Sequence, residues 1–221
     1  MNRLARFATA TLGAYLLGSV QSADIAARLA AGHDGSGHKD LRAQGTGNPG
    51  GLNAAKVLGT RWGLGVMAAD IAKGAVASAL GRRIAGNDGA YAAGTAAVVG
   101  HCLPVWSGFR GGKGMATSAG SAAICFPAYM PVDIAVAGAT LGLSRGSANR
   151  AAYVSSAVFL IASALWWRSG RRNLWGPSPT WGLPAYAALT GGLISWRFYN
   201  APTRLASVDG ASQESQTEAA A

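Results

Sequence analysis

The sequence predicts an all-α, polytopic integral membrane protein, a bundle of about seven transmembrane helices. Three observations carry this. Half of the 221 residues are hydrophobic and only 13% are charged, about half the charged fraction of a soluble domain. The apolar residues gather into seven segments of helical rather than strand length, separated by polar or glycine-rich connections. No sustained period-2 alternation runs through them, as a membrane barrel would need. In lipid every backbone polar group must be satisfied internally, which leaves helices. The 32 glycines and abundant alanines suit helices that pack closely through small side chains.

The first segment, 8–30, follows Arg3 and Arg6 and contains Asp24. Its basic start and apolar run resemble a cleavable leader, but the rest of the chain is equally hydrophobic, which favours a span. A long polar, glycine-rich connection, 31–58, leads to the second segment, 59–80, which carries Asp70-Ile-Ala-Lys73-Gly74. Charges three residues apart share one helix face and neutralise each other, as a structural or a functional pair. The third segment is 88–106. The fourth and fifth, 113–127 and 129–143, are short; Pro127 and Pro131 between them indicate a tight turn, or one long kinked helix. Segments 151–167 and 182–197 complete the set. The chain is thus read as a membrane domain, 1–206, and a disordered polar tail, 207–221.

The net charge of +10 does not point to nucleic acid, because the basic residues sit singly or in small groups between apolar segments. That distribution suits loops that meet anionic headgroups. With seven spans, one face collects Lys39, Arg42, Lys56, Arg61, Arg110, Lys113, Arg145, Arg150, Arg197 and Arg204. The opposite face collects Arg3, Arg6, Arg82, Arg83, Arg168, Arg171 and Arg172. The positive-inside rule places the first group in the cytoplasm. Cys102 and Cys125 lie in or beside apolar segments and indicate neither a disulfide framework nor a metal site.

Two loops of the first group suit an anionic ligand. In Arg42-Ala-Gln-Gly-Thr-Gly-Asn-Pro-Gly-Gly-Leu-Asn53, Gly47 and its neighbours let backbone N–H groups converge on an anion. Thr46, Asn48 and Asn53 add uncharged donors, and Arg42 adds a fork that matches phosphate. In Gly100-His101 to Thr117, Gly111-Gly112-Lys113-Gly114 opens an apolar helix, so free N–H groups and a lysine meet at one spot. This is no Walker loop, because Gly114 stands where Ser or Thr is needed. No His-x-x-x-x-Asp box, nucleophile elbow or metal-ligand cluster is present. What remains is phosphate clamps, hydroxyls and His101. They suit a reaction governed by orienting and neutralising phosphates.

Gly18-Ser-Val-Gln-Ser22, Arg42-x-x-Gly-Thr-Gly-Asn-Pro-Gly-x-x-Asn53, Asp70-x-x-Lys-Gly74 and Gly100-His-x-x-Pro…Phe-x-Gly-Gly-Lys-Gly-x-Ala-Thr117 occur in this order. Together, over about 10–205, they resemble the bacterial membrane acyl-phosphate:glycerol-3-phosphate acyltransferases. The resemblance implies a seven-helix bundle in the plasma (inner) membrane, with the active site on its cytoplasmic side. It implies transfer of an acyl group from acyl phosphate to glycerol 3-phosphate, the first step of phospholipid synthesis, with no cofactor and no metal. The partners implied are the two substrates and membrane lipid; oligomeric state stays open. It implies that Arg42, Thr46 and Asn48 help hold phosphates. Lys113 with Gly111, Gly112 and Gly114 would form a second cradle, and His101 would stand near the reacting groups. The general base, His101 or a substrate phosphate, stays open.

The chain departs from the family pattern in places. Gln21 replaces a proline, Thr46 a serine, Gly51-Leu52 an Ala-Thr pair, and Arg110 a lysine. A third motif, an arginine with nearby serines, falls on Arg145 with Ser147, or on Arg150 with Ser155 and Ser156. Two other readings remain beside the enzyme. One is a re-purposed relative that binds an anionic lipid precursor. The other is a small transporter built around Asp70 and Lys73.

Overall fold

The computed structural model describes residues 2–201 apart from Ser36 and His38. Arg204, His38 and the tail expected from 207 onward lie outside the described residues. Within them the chain is helical, with no strand.

Helix α1 (Arg3–Ser19) starts at Asn2, whose side chain accepts from the Ala5 N–H at 2.8 Å. It stops at Val20, and α2 (Ser22–Asp34) starts at once, ending on the left-handed Gly35. The first apolar segment is therefore two helices, where the sequence predicts one. Distant polar groups fill the gap between them. Lys73 Nζ donates to the Val20 carbonyl at 2.9 Å, and the Gln21 amide reaches the His101 carbonyl at 3.4 Å. A helix can break at membrane depth only where such groups replace the lost bonds.

A short α3 (Gly51–Leu58) lies inside the connection read as loop. The 43-residue α4 (Thr60–Cys102) is two helices joined at Gly86, whose φ of 75° and ψ of −158° a side chain would oppose. Its halves are the second and third expected spans. α5 (Met115–Cys125) and α6 (Met130–Leu143) are separate helices around the Pro127 turn, which decides between the two sequence readings. Asn173 donates to the Cys125 carbonyl at 2.9 Å and seals that end of α5. α7 (Ala148–Ser169) and α8 (Gly182–Tyr199) complete the chain. With the halves of α4 counted apart, α1 and α4–α8 make the seven expected apolar helices, and α2 and α3 are additions.

By length and composition, Thr60–Ser107 and Ala148–Ser169 are long and apolar enough to cross a bilayer; α5 and α6 are apolar but shorter. α4 is the hub: α1, α3, α5 and α8 pack against it, α7 packs on α8, and α6 on α7. Small residues allow this. Ala14, Ala77, Ala93, Ala96 and Ala97 form the α1–α4 seam. A Cβ on Gly74 would strike the Thr117 carbonyl, so α4 and α5 touch backbone to backbone. Phe126, Tyr129, Phe159, Trp166 and Tyr186 make an aromatic cluster with neighbouring centroids 5.3–6.0 Å apart. Outside, Leu12, Ile134, Ile161, Leu165 and Leu189 are each at least 60% exposed. A surface that apolar is suited to lipid rather than water.

Candidate active site

The end of the second half of α4 opens the glycine–lysine loop. After Pro104 the chain makes a 3-10 turn, Val105–Ser107, and returns so that the Gly112 N–H donates to the His101 carbonyl at 3.1 Å. Gly114, at φ 88°, turns the chain into α5 without any side-chain cap. The N–H groups of Lys113, Gly114, Met115 and Ala116 meet no acceptor among the described residues. Unspent donors at a helix start, beside a lysine, are ready for an anion. Gly112 differs from the expected cradle, because its N–H is already used.

Two residues of the last turn of α8 shape this loop. Arg197 donates through Nε to the Gly112 carbonyl at 3.0 Å and through Nη2 to the Gly111 carbonyl. Lys113 Nζ lies 4.2 Å from the centre of the Phe198 ring, a cation–π contact that seats the ammonium. Burial, and then the charge of Arg197, hold the Lys113 pKa below the ordinary lysine value.

The first loop reaches the second through Arg42, whose Nε donates to the Arg110 carbonyl at 2.8 Å. The Arg42 fork itself is occupied: Nη1 and Nη2 bond the two carboxylate oxygens of Asp24 at 2.6 and 3.0 Å. Arg42 is therefore not an open phosphate fork in this structure, and Asp24, given no role from sequence, is its partner. Asn53 also differs from expectation. Fully buried, it donates to the Leu41 and Gln44 carbonyls at 2.9 and 3.0 Å and accepts from the Thr46 N–H at 2.8 Å. Both amide hydrogens brace the loop, so none is left for a ligand. The hydroxyl of Thr46 and the amide of Asn48 make no side-chain hydrogen bond among the described residues, and Gly47 turns between them at φ 70°.

Beneath the loops lies a buried polar knot. Asp70 accepts from Lys73 Nζ at 2.8 Å and from the Ser22 hydroxyl at 2.9 Å, with both charged side chains under a tenth exposed. His101 Nδ1 stands 3.6 Å from the same carboxylate, too far for a formed hydrogen bond. Its Nε2 faces the loop: a Cβ on Gly112 would collide with it. His101, Asp70 and Lys73 are thus brought together with the glycine–lysine loop.

Other expected residues are not in this cluster. Thr117 is fully buried in α5 against α4, its hydroxyl unpartnered. Arg145 is exposed in the α6–α7 turn, and the Ser147 hydroxyl caps α7 by accepting from the Arg150 N–H at 3.4 Å. Ser155 and Ser156 instead line a cavity of about 90 Å³ with Met115, Ser118 and Asp133, below the start of α5. Cys102 and Cys125 are free and buried, and no group of three metal-binding side chains occurs among the described residues. Asp24 and Arg197 were missed by motif reading, because each acts through a partner remote in sequence, and Ser22 entered it only as a motif position, without its bond to Asp70.

The comparisons with known proteins agree with this architecture. The family model described as glycerol-3-phosphate acyltransferase matches residues 8–208. A glycerol-3-phosphate acyltransferase of Paramagnetospirillum magneticum is 37% identical over 194 residues, covering 86% of this chain and 84% of that protein. One from Thermoanaerobacter sp. (strain X514) is 35% identical over 156 residues, covering 71% and 75%. Among solved structures, the glycerol 3-phosphate form of PlsY, an integral membrane glycerol 3-phosphate acyltransferase, matches with a TM-score of 0.71. It is 28% identical and covers 90% of this chain and 91% of that one. The lysophosphatidic acid form of PlsY matches with a TM-score of 0.67 at 26% identity, with the same coverage. The described helices thus form a multi-pass membrane bundle, and the chain belongs to the glycerol-3-phosphate acyltransferase family.

Proposed function

We propose that the protein acylates glycerol 3-phosphate, with an acyl phosphate as donor, at the cytoplasmic face of the plasma membrane. The observation that carries this is the convergence of two glycine loops, joined by the Arg42–Arg110 contact, above a buried histidine at the end of an apolar bundle. Unspent N–H groups and Lys113 offer one phosphate site at the start of α5. Thr46 and Asn48 offer donors from the facing loop. The concentration of Arg42, Arg110, Lys113 and Arg197 at this end of the bundle supports its placement in the cytoplasm.

In the reaction, the glycerol hydroxyl oxygen attacks the acyl carbonyl and forms the ester bond. The bond between the acyl carbon and the phosphate oxygen breaks, and inorganic phosphate leaves with its electrons. The hydroxyl proton passes to His101 or to the departing phosphate. The donor is already activated, so the protein's part is to hold two anions together and neutralise charge at the leaving phosphate.

The test is phosphate release by purified protein in detergent, given palmitoyl phosphate and glycerol 3-phosphate. Release that requires both, yields 1-acyl-glycerol 3-phosphate and disappears in Lys113→Ala is the expected result. No product from folded, monodisperse protein would remove this reading and direct attention to other acceptors, for which the Asp24-occupied Arg42 fork is the structural motive.

A further inference from the structure

The end of α8 holds the glycine–lysine loop by its carbonyls, and nothing in the loop's own sequence explains its shape. Gly111 and Gly112 carry no side chains, and Gly114 takes a left-handed φ of 88°. Such a segment has many accessible conformations, and ordering it carries a conformational-entropy cost at every residue. Only groups outside it can offset that. One is the His101 carbonyl, which accepts from the Gly112 N–H at 3.1 Å. The other is Arg197, 85 residues away from Gly112, which donates to the Gly112 carbonyl at 3.0 Å and also to the Gly111 carbonyl. Between them they fix both edges of one peptide unit. Next along α8, the Phe198 ring receives Lys113 Nζ.

We propose that Arg197 is a positioning residue for the phosphate cradle: its guanidinium holds the Gly111 and Gly112 carbonyls inward, which leaves the N–H groups of Lys113 to Ala116 and the lysine ammonium facing the ligand. A planar fork with several donors suits two adjacent carbonyls, where a lysine offers a single point of charge. The inference rests on the acyl-transfer reading for its kinetic consequence but not for the clamp itself.

The experiment uses the full chain in detergent, unaltered and as Arg197→Gln and Arg197→Lys, each checked for an unchanged melting temperature. Trypsin can cut after Arg110 and after Lys113, so the cutting rate at these two bonds reports how often the loop opens. Loss of hydrogen bonds from a charged donor is expected to raise that rate roughly tenfold or more in Arg197→Gln. In the same samples, KM for at least one of the phosphate-bearing substrates should rise by about tenfold or more, with a smaller change in kcat. Arg197→Lys should fall between the two in both measurements. A loop no more open in Arg197→Gln, or an unchanged KM in an active sample, overturns the proposal. So does an Arg197→Lys protein with normal KM but an open loop, because the charge would then act on the substrate directly. If the unaltered protein turns nothing over while Arg197→Gln opens the loop, the clamp stands and the acyl-transfer reading falls.

Discussion

Removing one partner of the Asp70–Lys73 pair should be far more damaging than removing both. In Asp70→Ala, Lys73 keeps only the Val20 carbonyl at 2.9 Å, inside the bundle and 7% exposed. The Ser22 hydroxyl loses its acceptor as well. In Lys73→Met, an equally buried carboxylate keeps Ser22 but no cation, and the Val20 carbonyl at the α1–α2 break goes unmet. Each single change leaves an uncompensated buried charge and is expected to cost about 3–5 kcal/mol. The double replacement leaves no such charge, only polar groups without partners. It should therefore cost less than either single, far short of their sum. Reversible unfolding in mixed micles of mild and denaturing detergent, followed by circular dichroism, measures all four states of the cycle. Singles that are neutral, or costs that simply add, would refute the buried-pair reasoning. Turnover measured alongside asks a second question. His101 Nδ1 has Asp70 as its neighbouring carboxylate at 3.6 Å, so activity should stay lost in the double variant even where stability is partly regained.

Two other expectations concern the glycine–lysine loop. Gly112→Ala drives a Cβ into His101 Nε2; the displaced loop should lower kcat/KM by roughly 100-fold with little change in melting temperature, and unchanged kinetics would mean that the loop does not lie against His101 in the working protein. The lowered pKa of Lys113 carries a sign: phosphate needs the protonated form, so activity should be full below that pKa and fall as pH rises through it, earlier than for an ordinary lysine. In Lys113→Arg, whose side chain stays charged, relative activity should hold to higher pH; an identical alkaline limb in that variant would show that another group titrates.

Hydropathy and residue type alone determined the membrane helices and the two glycine loops. Segments such as 151–167 and 182–197 are legible because lipid demands long apolar runs and leaves the backbone no option but to bond within them. Gly111 to Gly114 is legible because glycine next to lysine before an apolar helix is a local pattern, complete within a few residues. Only the tertiary structure decided which polar groups remain free for a ligand. Arg42 reads as a phosphate fork until Asp24 is found on it, and Asn53 reads as a donor until its amide hydrogens are found spent on Leu41 and Gln44. The helix break at Val20 depends on Lys73, 53 positions further on, and the clamp on Gly112 on Arg197, 85 positions further on. A side chain's chemistry is written in its own residue. Its availability depends on what packs beside it, because a buried polar group takes whichever partner the fold brings within about 3 Å.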